Sequence, residues 1–419
     1  MAILSLAWKS VRNRRFTAAL TVASIALSVA LLVGVERIRH QAKASFTNTI
    51  SGTDLIVGAR SGPIQLLLYS VFHLGSATNN ISWESWREIA NHPKVAWAVP
   101  LSLGDSHRGY PVLGTTLDYF TRFRYARDRG LDLAKGQVFG DLFDAVLGAE
   151  VAQALGYRPG DPIVLAHGAG DVSFARHEDK PFRVVGILAR TGTPVDRTVL
   201  VGLEAIEAIH ADWQGGAPVS GRGLSPAQAR ALDLTPRAIT AGLFGLKSRI
   251  ATFQVQRFVN DYAQEPLLAI LPAVALGELW KLIGVAEGAL LMVSGCVVVV
   301  GLAGMLAALL SGLNERRREM AILRSVGARP IHVFALIMGE AFVLTLIGVA
   351  LGLVLLYLLL AVVQPLVESR FGLFLALGSP SASELRLLAA VVLGGAVIGS
   401  IPAYRAYRLS LADGLSIRL

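Results

Sequence analysis

The chain has 419 residues, 53% of them hydrophobic and 16% charged, with a formal charge of +9 and a mean hydropathy of +0.54. That much apolar surface excludes a purely water-soluble class. The basic residues lie beside apolar runs and form no separate tail, so lipid headgroups, not nucleic acid, are their expected counterions. The one cysteine, Cys296, excludes a disulfide framework and a cysteine-based zinc pattern.

In chain order, residues 1–15 form a basic start with Lys9, Arg12, Arg14 and Arg15, and residues 16–35 form an uncharged apolar run. About 20 residues at about 1.5 Å each match the roughly 30 Å of a hydrocarbon core. A secretory signal peptide has a similar outline, but the nearest small-x-small site, Ala42 with Ala44, lies too far past the run, so it reads as an uncleaved signal anchor. Residues 36–280 then take on ordinary soluble composition, with strand patterns at 97–103, 162–166 and 182–188 alternating with helical ones. This predicts an inserted α+β extracytoplasmic domain. Ser82 is the expected N-cap of a helix through Ala90. Gly156, with Arg158, Pro159, Gly160 and Asp161 behind it, should close another helix. Residues 252–262 read as helix, and the segment from Leu276 through Trp280 and Lys281 should run into the next span as a stalk.

Three further spans crowd the last third: 281–313 with the stalk end, 331–363, and 385–404, the last two separated by an extracytoplasmic loop at 364–384. The expected class is therefore a membrane α-helical protein of four transmembrane helices carrying the outer domain. Arg316, Arg317, Arg318, Arg324 and Arg329 separate the second span from the third, and Arg405, Arg408 and Arg418 follow the fourth. By the positive-inside rule these segments and both termini, including the tail 405–419, face the cytoplasm. Small residues four apart, Ser24 with Ser28, Gly348 with Gly352 and Gly395 with Gly399, mark places where helix backbones can approach closely. Glu340 stands nine residues into the third span, about 13 Å deep. An ionisable group there is costly and is a candidate functional residue, read as an interhelical hydrogen bond in preference to a proton relay.

No pattern for covalent chemistry occurs: there is no G-x-S-x-G, no H-E-x-x-H and no G-x-x-x-x-G-K-[ST], and residues 242–248 lack the spacing to wrap a phosphate. The chain is expected to be non-catalytic and to hold no cofactor. Seven of its eight histidines, His40, His73, His92, His107, His167, His177 and His210, fall in the outer domain. Their spacing forms no ligand motif, and no metal ligand is assigned.

After the second span comes Glu315-Arg316-Arg317-Arg318-Glu319-Met320-Ala321-Ile322-Leu323-Arg324-Ser325-Val326-Gly327-Ala328-Arg329-Pro330. It reads as a short helix along the membrane, with Met320, Ile322, Leu323 and Val326 apolar, the arginines polar, and Gly327 and Pro330 as the stop. A stop-transfer charge cluster would show the arginines alone. The whole string resembles the E-x-R-R-E-x-x-x-L-R-x-x-G-A segment of the FtsX-like, MacB-type permease family, which includes macrolide exporters and lipoprotein-release permeases. The resemblance continues at Glu340 and Ala341, at Pro402, Ala403, Arg405 and Ala406, and loosely in the outer domain at 184–188 and 192–197. Ser410 and Leu411 depart from the Asp-Pro that many relatives carry there.

What the resemblance implies is a type VII ABC architecture in the bacterial inner membrane. Two permease chains, as homodimer or heterodimer, would work with separate ATPase chains and with a periplasmic adaptor or substrate-binding protein. Residues Glu315, Arg316, Arg317, Arg318, Glu319, Met320, Ile322, Leu323, Arg324 and Gly327 would form the coupling helix. The implied role is mechanotransmission, in which ATP hydrolysis by the partner moves the outer domain to export or release a cargo. The alternative is an envelope regulator that moves a partner without transporting anything.

Overall fold

The computed structural model describes residues 15–126, 128–168, 175–214, 217–218, 224–315, 317–371 and 378–408. Lys9, Arg12, Arg14, Arg316, Ser410, Leu411 and Arg418, on which parts of the sequence reading rest, lie outside the described residues, as do the side chains of residues 314–319. The chain divides into two compact units: Ala42–Leu282 with Val367–Phe374, and Met1–Gln41 with Ile283–Leu366 and Leu375–Leu419.

The first unit, the outer domain, is built on a twelve-stranded sheet. Its longer strands are β1 (Leu55–Ala59), β2 (Val95–His107), β3 (Tyr110–Thr115), β4 (Leu133–Gly136) and β5 (Asp144–Leu147). They are followed by the two-residue β6 (Ala166–His167), then β7 (Phe182–Leu188), β8 (Val199–Gly202), β9 (Ala241–Leu246) and β10 (Leu267–Ile270). The order across the sheet is β10-β1-β9-β2-β3-β8-β5-β7-β4, with β6 attached to β2 off that path. β8 runs parallel to β3, and β7 parallel to β5. The first strand therefore sits between the last two, which ties the ends of the domain together.

All five residues of β1 are buried, as expected of an apolar run covered on both faces. Ile56 packs with Leu66, Leu67, Val99, Leu101 and Leu243, while Leu55 and Val57 turn to the other face with Trp86, Phe244, Val255 and Val259; this is the period of two that a pleated strand imposes. A third cluster joins Ala145, Leu147, Val184, Val199 and Val201 to Ala205, Ala208 and Ile209. These last three residues belong to the helix Leu203–His210.

Local signals were legible. The strand Phe182–Leu188 has the predicted bounds. Ser82 Oγ accepts from the Ser85 amide at 3.3 Å and caps Trp83–Ala90, and Gly156 closes Ala149–Leu155 at φ 73°. The helix expected over 252–262 ends at Asn260. The strand expected over 162–166 is instead two short pieces, Pro162–Ile163 and Ala166–His167. Between them the Val164 carbonyl accepts a hydrogen bond from His107 Nδ1 at 2.7 Å, which takes that group out of the ladder.

Among the described residues, four helical segments are long and apolar enough to cross a membrane: Arg15–Gln41, Pro272–Leu313, which starts in the first unit, Pro330–Gln364 and Ala382–Arg408. The second belongs to one uninterrupted helix, Pro272–Glu315. On the first span, Val22, Ile25, Ala26, Val29, Leu32 and Val33 are buried at helical spacing, whereas Phe16, Leu20, Leu27 and Leu31 are exposed and suit lipid. Each predicted small-residue pair lies at a close helix approach. A Cβ at Gly301 would stand 2.9 Å from Ser28 Oγ and 3.4 Å from Ser24 Oγ, placing the first span against the second. A Cβ at Gly348 would meet Ile25 Cγ2 at 2.6 Å, and one at Gly352 the Ala26 carbonyl at 2.7 Å, so the third span packs on the first. At Gly395 and Gly399 the obstacles are Thr345 and Ala341, bringing the fourth span onto the third. Without a hydrophobic effect between helices in lipid, this van der Waals fit is the main source of association.

At one end of this bundle Arg37 and Glu384, each about 3% exposed, form a salt bridge with Nε 3.0 Å from Oε1. Arg37 also donates to the Gly378 carbonyl at 2.8 Å and to Tyr357 Oη at 3.1 Å. Glu384 closes a capping box, accepting from the Ser381 amide at 3.1 Å while its own amide donates to Ser381 Oγ at 3.3 Å.

Candidate functional site

The arginine-rich segment expected to couple to an ATPase is a helix of its own, Arg317–Ser325, between the second and third spans. It ends as its sequence predicts. Gly327 takes φ 100°, the left-handed region in which a side chain would be strained, and the Ala328 amide donates to the Leu323 carbonyl at 3.0 Å. Pro330 then opens the third span. The apolar residues divide into two groups. Met320 is 7% exposed and packs with Leu313, Val333, Ile337, Ala403 and Ala406, so it anchors the helix to its own bundle. Ile322, Leu323 and Val326 are exposed, Val326 by 83%. The four residues expected to be the apolar contacts of this helix thus divide: Met320 points inward and the other three side chains are exposed. Glu340 is buried at 6% exposure beside Ala341, the residue that Gly399 approaches.

In the outer domain, folding brings together histidines that are far apart in sequence. β2 carries a bulge between Leu103 and Ser106, with Gly104 at φ 152°. Beyond the bulge, Asp105, Ser106 and His107 are all buried. β6 pairs with the end of β2 so that His167 lies directly across from Asp105. His210 arrives as the last residue of Leu203–His210. One ligand-capable atom from each of Asp105, His167 and His210 falls within a common 4.8 Å. His167 Nδ1 is 3.2 Å from Asp105 Oδ1, His210 Nε2 is 3.4 Å from it, and the two nitrogens are 3.3 Å apart.

Burial opposes charge on Asp105, but hydrogen bonds from His167 and His210 outweigh it and hold its carboxyl at about 2. The same contact with Asp105 overcomes burial at His210 and raises it. His177, fully buried, is lowered to about 4 by burial and by neighbouring His210. Its ring lies 5.0 Å from that of His210 and 4.4 Å from that of Trp213, centroid to centroid. Lys180 is also fully buried and donates to Asp212 at 2.9 Å, which ties the loop after His177 to the residues after His210.

Residues 18–229 match the MacB-like periplasmic core domain and residues 291–411 the FtsX-like permease C-terminal domain. The chain belongs to the FtsX/MacB-type ABC permease family. Permeases of this family reside in the bacterial inner membrane and work with ABC ATPase partners. Among curated relatives, this permease is 23% identical to the macrolide export ATP-binding/permease protein MacB 1 of Yersinia pestis bv. Antiqua (strain Antiqua), over 99% of this chain and 60% of the relative. It is 25% identical to the corresponding protein of Azoarcus sp. (strain BH72), over 96% and 57%. The chain thus spans about 60% of the length of the curated relatives it matches. Of solved structures, the periplasmic region of MacB from Actinobacillus actinomycetemcomitans aligns with TM-score 0.34 and 11% identity, over 55% of this chain and 94% of that one.

Within this FtsX/MacB-type permease the arginine-rich helix was legible from its motif, while the Asp105–His167–His210 cluster was not. Its members come from a bulge, a cross-strand register and a helix end, and no spacing in the sequence encodes that convergence. The one local hint was Gly104 next to Asp105 in an otherwise alternating strand, a bulge signal.

Proposed function

We propose that this chain is the membrane subunit of an ATP-driven transporter of the mechanotransmission type. An ATP-hydrolysing unit outside these 419 residues seats on the helix Arg317–Ser325 from the cytoplasmic side. Its movement passes along the helix Pro272–Glu315 to the outer domain, where a cargo is exported or released, the permease working as a dimer. The observation that carries this reading is the division of apolar side chains on the short helix: Met320 is locked into the bundle, and Ile322, Leu323 and Val326 are left uncovered. A stop-transfer cluster needs charge alone and gains nothing from an anchored helix with a second apolar face. In this reading the charges of Glu315, Arg316, Arg317, Arg318, Glu319 and Arg324 supply electrostatic recognition of the partner, and Gly327 fixes where the helix ends. Glu340 acts as an interhelical hydrogen-bonding group in the bundle.

The test is Leu323→Asp with Val326→Asp, two exposed positions whose change leaves the bundle core untouched. Losing two apolar contacts from an interface centre is expected to weaken association with the ATPase roughly 10- to 100-fold, with membrane insertion at the wild-type level. Co-purification and stimulated ATP hydrolysis both read this. A double variant that retains the ATPase and transports normally would sink the proposal.

A further inference from the structure

We propose that Asp105, His167 and His210 form a binding site for a divalent transition-metal ion of the zinc class. The inference is independent of ATPase coupling. The three facing atoms, Asp105 Oδ1, His167 Nδ1 and His210 Nε2, make a nearly equilateral triangle with sides of 3.2, 3.4 and 3.3 Å. Ligands at about 2.0–2.1 Å from tetrahedral zinc are separated by the tetrahedron edge, roughly 3.3–3.4 Å for that bond length. The triangle therefore has the size of one face of a zinc coordination shell.

Hydrogen bonding prepares the donors. His210 Nδ1 lies 2.9 Å from the Ile206 carbonyl, an acceptor only, so in the neutral ring that nitrogen carries the proton and Nε2 holds the lone pair. Without a cation, Nε2 takes a proton and hydrogen-bonds Asp105 Oδ1 across 3.4 Å; a metal ion there takes the place of that proton. Beside the triangle stands His177. It is fully buried, and neither ring nitrogen has a hydrogen-bond partner among the described residues. A buried imidazole with both nitrogens unmatched calls for a missing partner, but His177 stands outside the group of three, its ring 5.0 Å from that of His210, and the fourth position is left to water. Trp213 packs against the rings of His167, His177 and His210 and provides the apolar shell that shields such a site. Two imidazoles with one carboxylate suit zinc and its neighbours better than calcium or magnesium, which prefer all-oxygen shells.

The site joins β2, β6 and the end of Leu203–His210, so an ion bound there clips three elements that meet nowhere else in sequence. The experiment uses the full chain in detergent, stripped with chelator and titrated with zinc chloride by calorimetry, with elemental analysis after dialysis. One zinc per chain is expected, with a thermal unfolding midpoint that rises with zinc concentration. His167→Ala and His210→Ala should each weaken binding by more than the roughly 10- to 100-fold typical of losing an outer-shell partner, while His92→Ala should not. Cobalt substitution gives a second reading, because a tetrahedral cobalt spectrum and quenching of Trp213 fluorescence report the site directly, with Trp213→Phe as control. Absence of stoichiometric zinc, or binding equal in wild type, His167→Ala and His210→Ala, would overturn the proposal and leave a protonated His210 paired with Asp105.

Discussion

His73 is half-buried at φ 53°, with Nδ1 2.9 Å from Thr198 Oγ1. Thr198 Oγ1 already donates its proton to the Pro194 carbonyl at 2.9 Å, so it accepts here, and His73 is a neutral ring with its proton on Nδ1. Burial lowers it from its ordinary 6.5 to about 4. The native state then binds one proton fewer than the unfolded chain between those values. The stability His73 contributes is complete above about pH 6.5 and is lost as pH falls toward 4, at roughly 1.4 kcal/mol per unit. His73→Asn keeps a residue tolerant of positive φ and a donor for Thr198, and removes the titration. Its unfolding midpoint should fall less steeply than wild type from pH 6.5 to 4; parallel slopes would clear His73 of the effect. The sequence marks His73 only as one of seven outer histidines, because its backbone angle and its partner 125 residues away are tertiary facts.

At the scale of elements, helix pairing in the membrane is where a sequence signal and a packing outcome met most directly. Spacing alone marks Ser24 with Ser28, Gly348 with Gly352, and Gly395 with Gly399, and each pair faces another helix. Which helix each faces was not legible, since small residues permit close approach without naming the partner. Gly352→Leu would drive a side chain toward the Ala26 carbonyl, 2.7 Å from the position of its Cβ, and backbone cannot yield as a flexible side chain can. A loss of about 1–3 kcal/mol is expected, read as a lower unfolding midpoint in detergent. Gly304→Ala, with no atom within 4 Å of the added Cβ, is the control that should be neutral. The short helix Arg317–Ser325 teaches the converse. Its motif and its Gly327 stop were visible, but which apolar residue is an anchor depended on Val333, Ile337, Ala403 and Ala406, from other helices.

For the molecule as a whole, the proposal of motion passed from membrane to outer domain rests on the unbroken helix Pro272–Glu315. Ala275 and Leu276, at its start, are packed in the outer core, and Leu309 and Leu313, near its end, are buried in the membrane unit. Ala286→Pro, an exposed position between them, removes a helix hydrogen bond and kinks the rod at a cost of about 3 kcal/mol. Zinc stoichiometry in the outer domain and ATPase co-purification should survive, because neither unit's core is touched, while ATP-dependent transport should fall several-fold. Transport at the wild-type rate would show that the rod is not the transmission element.

The sequence alone determined the class, through long uncharged apolar runs, a soluble insertion between the first and second of them, and an arginine-rich string before Gly327. These are properties of neighbouring residues and of hydrophobic length, which need no fold to be read. Tertiary structure alone decided which faces the small residues meet, that Met320 turns inward while Val326 turns out, and that Asp105, His167 and His210 converge. Each of those is set by strand register, a bulge or helix packing, where residues far apart in the chain are placed within a few ångströms by burial of surfaces they do not themselves encode.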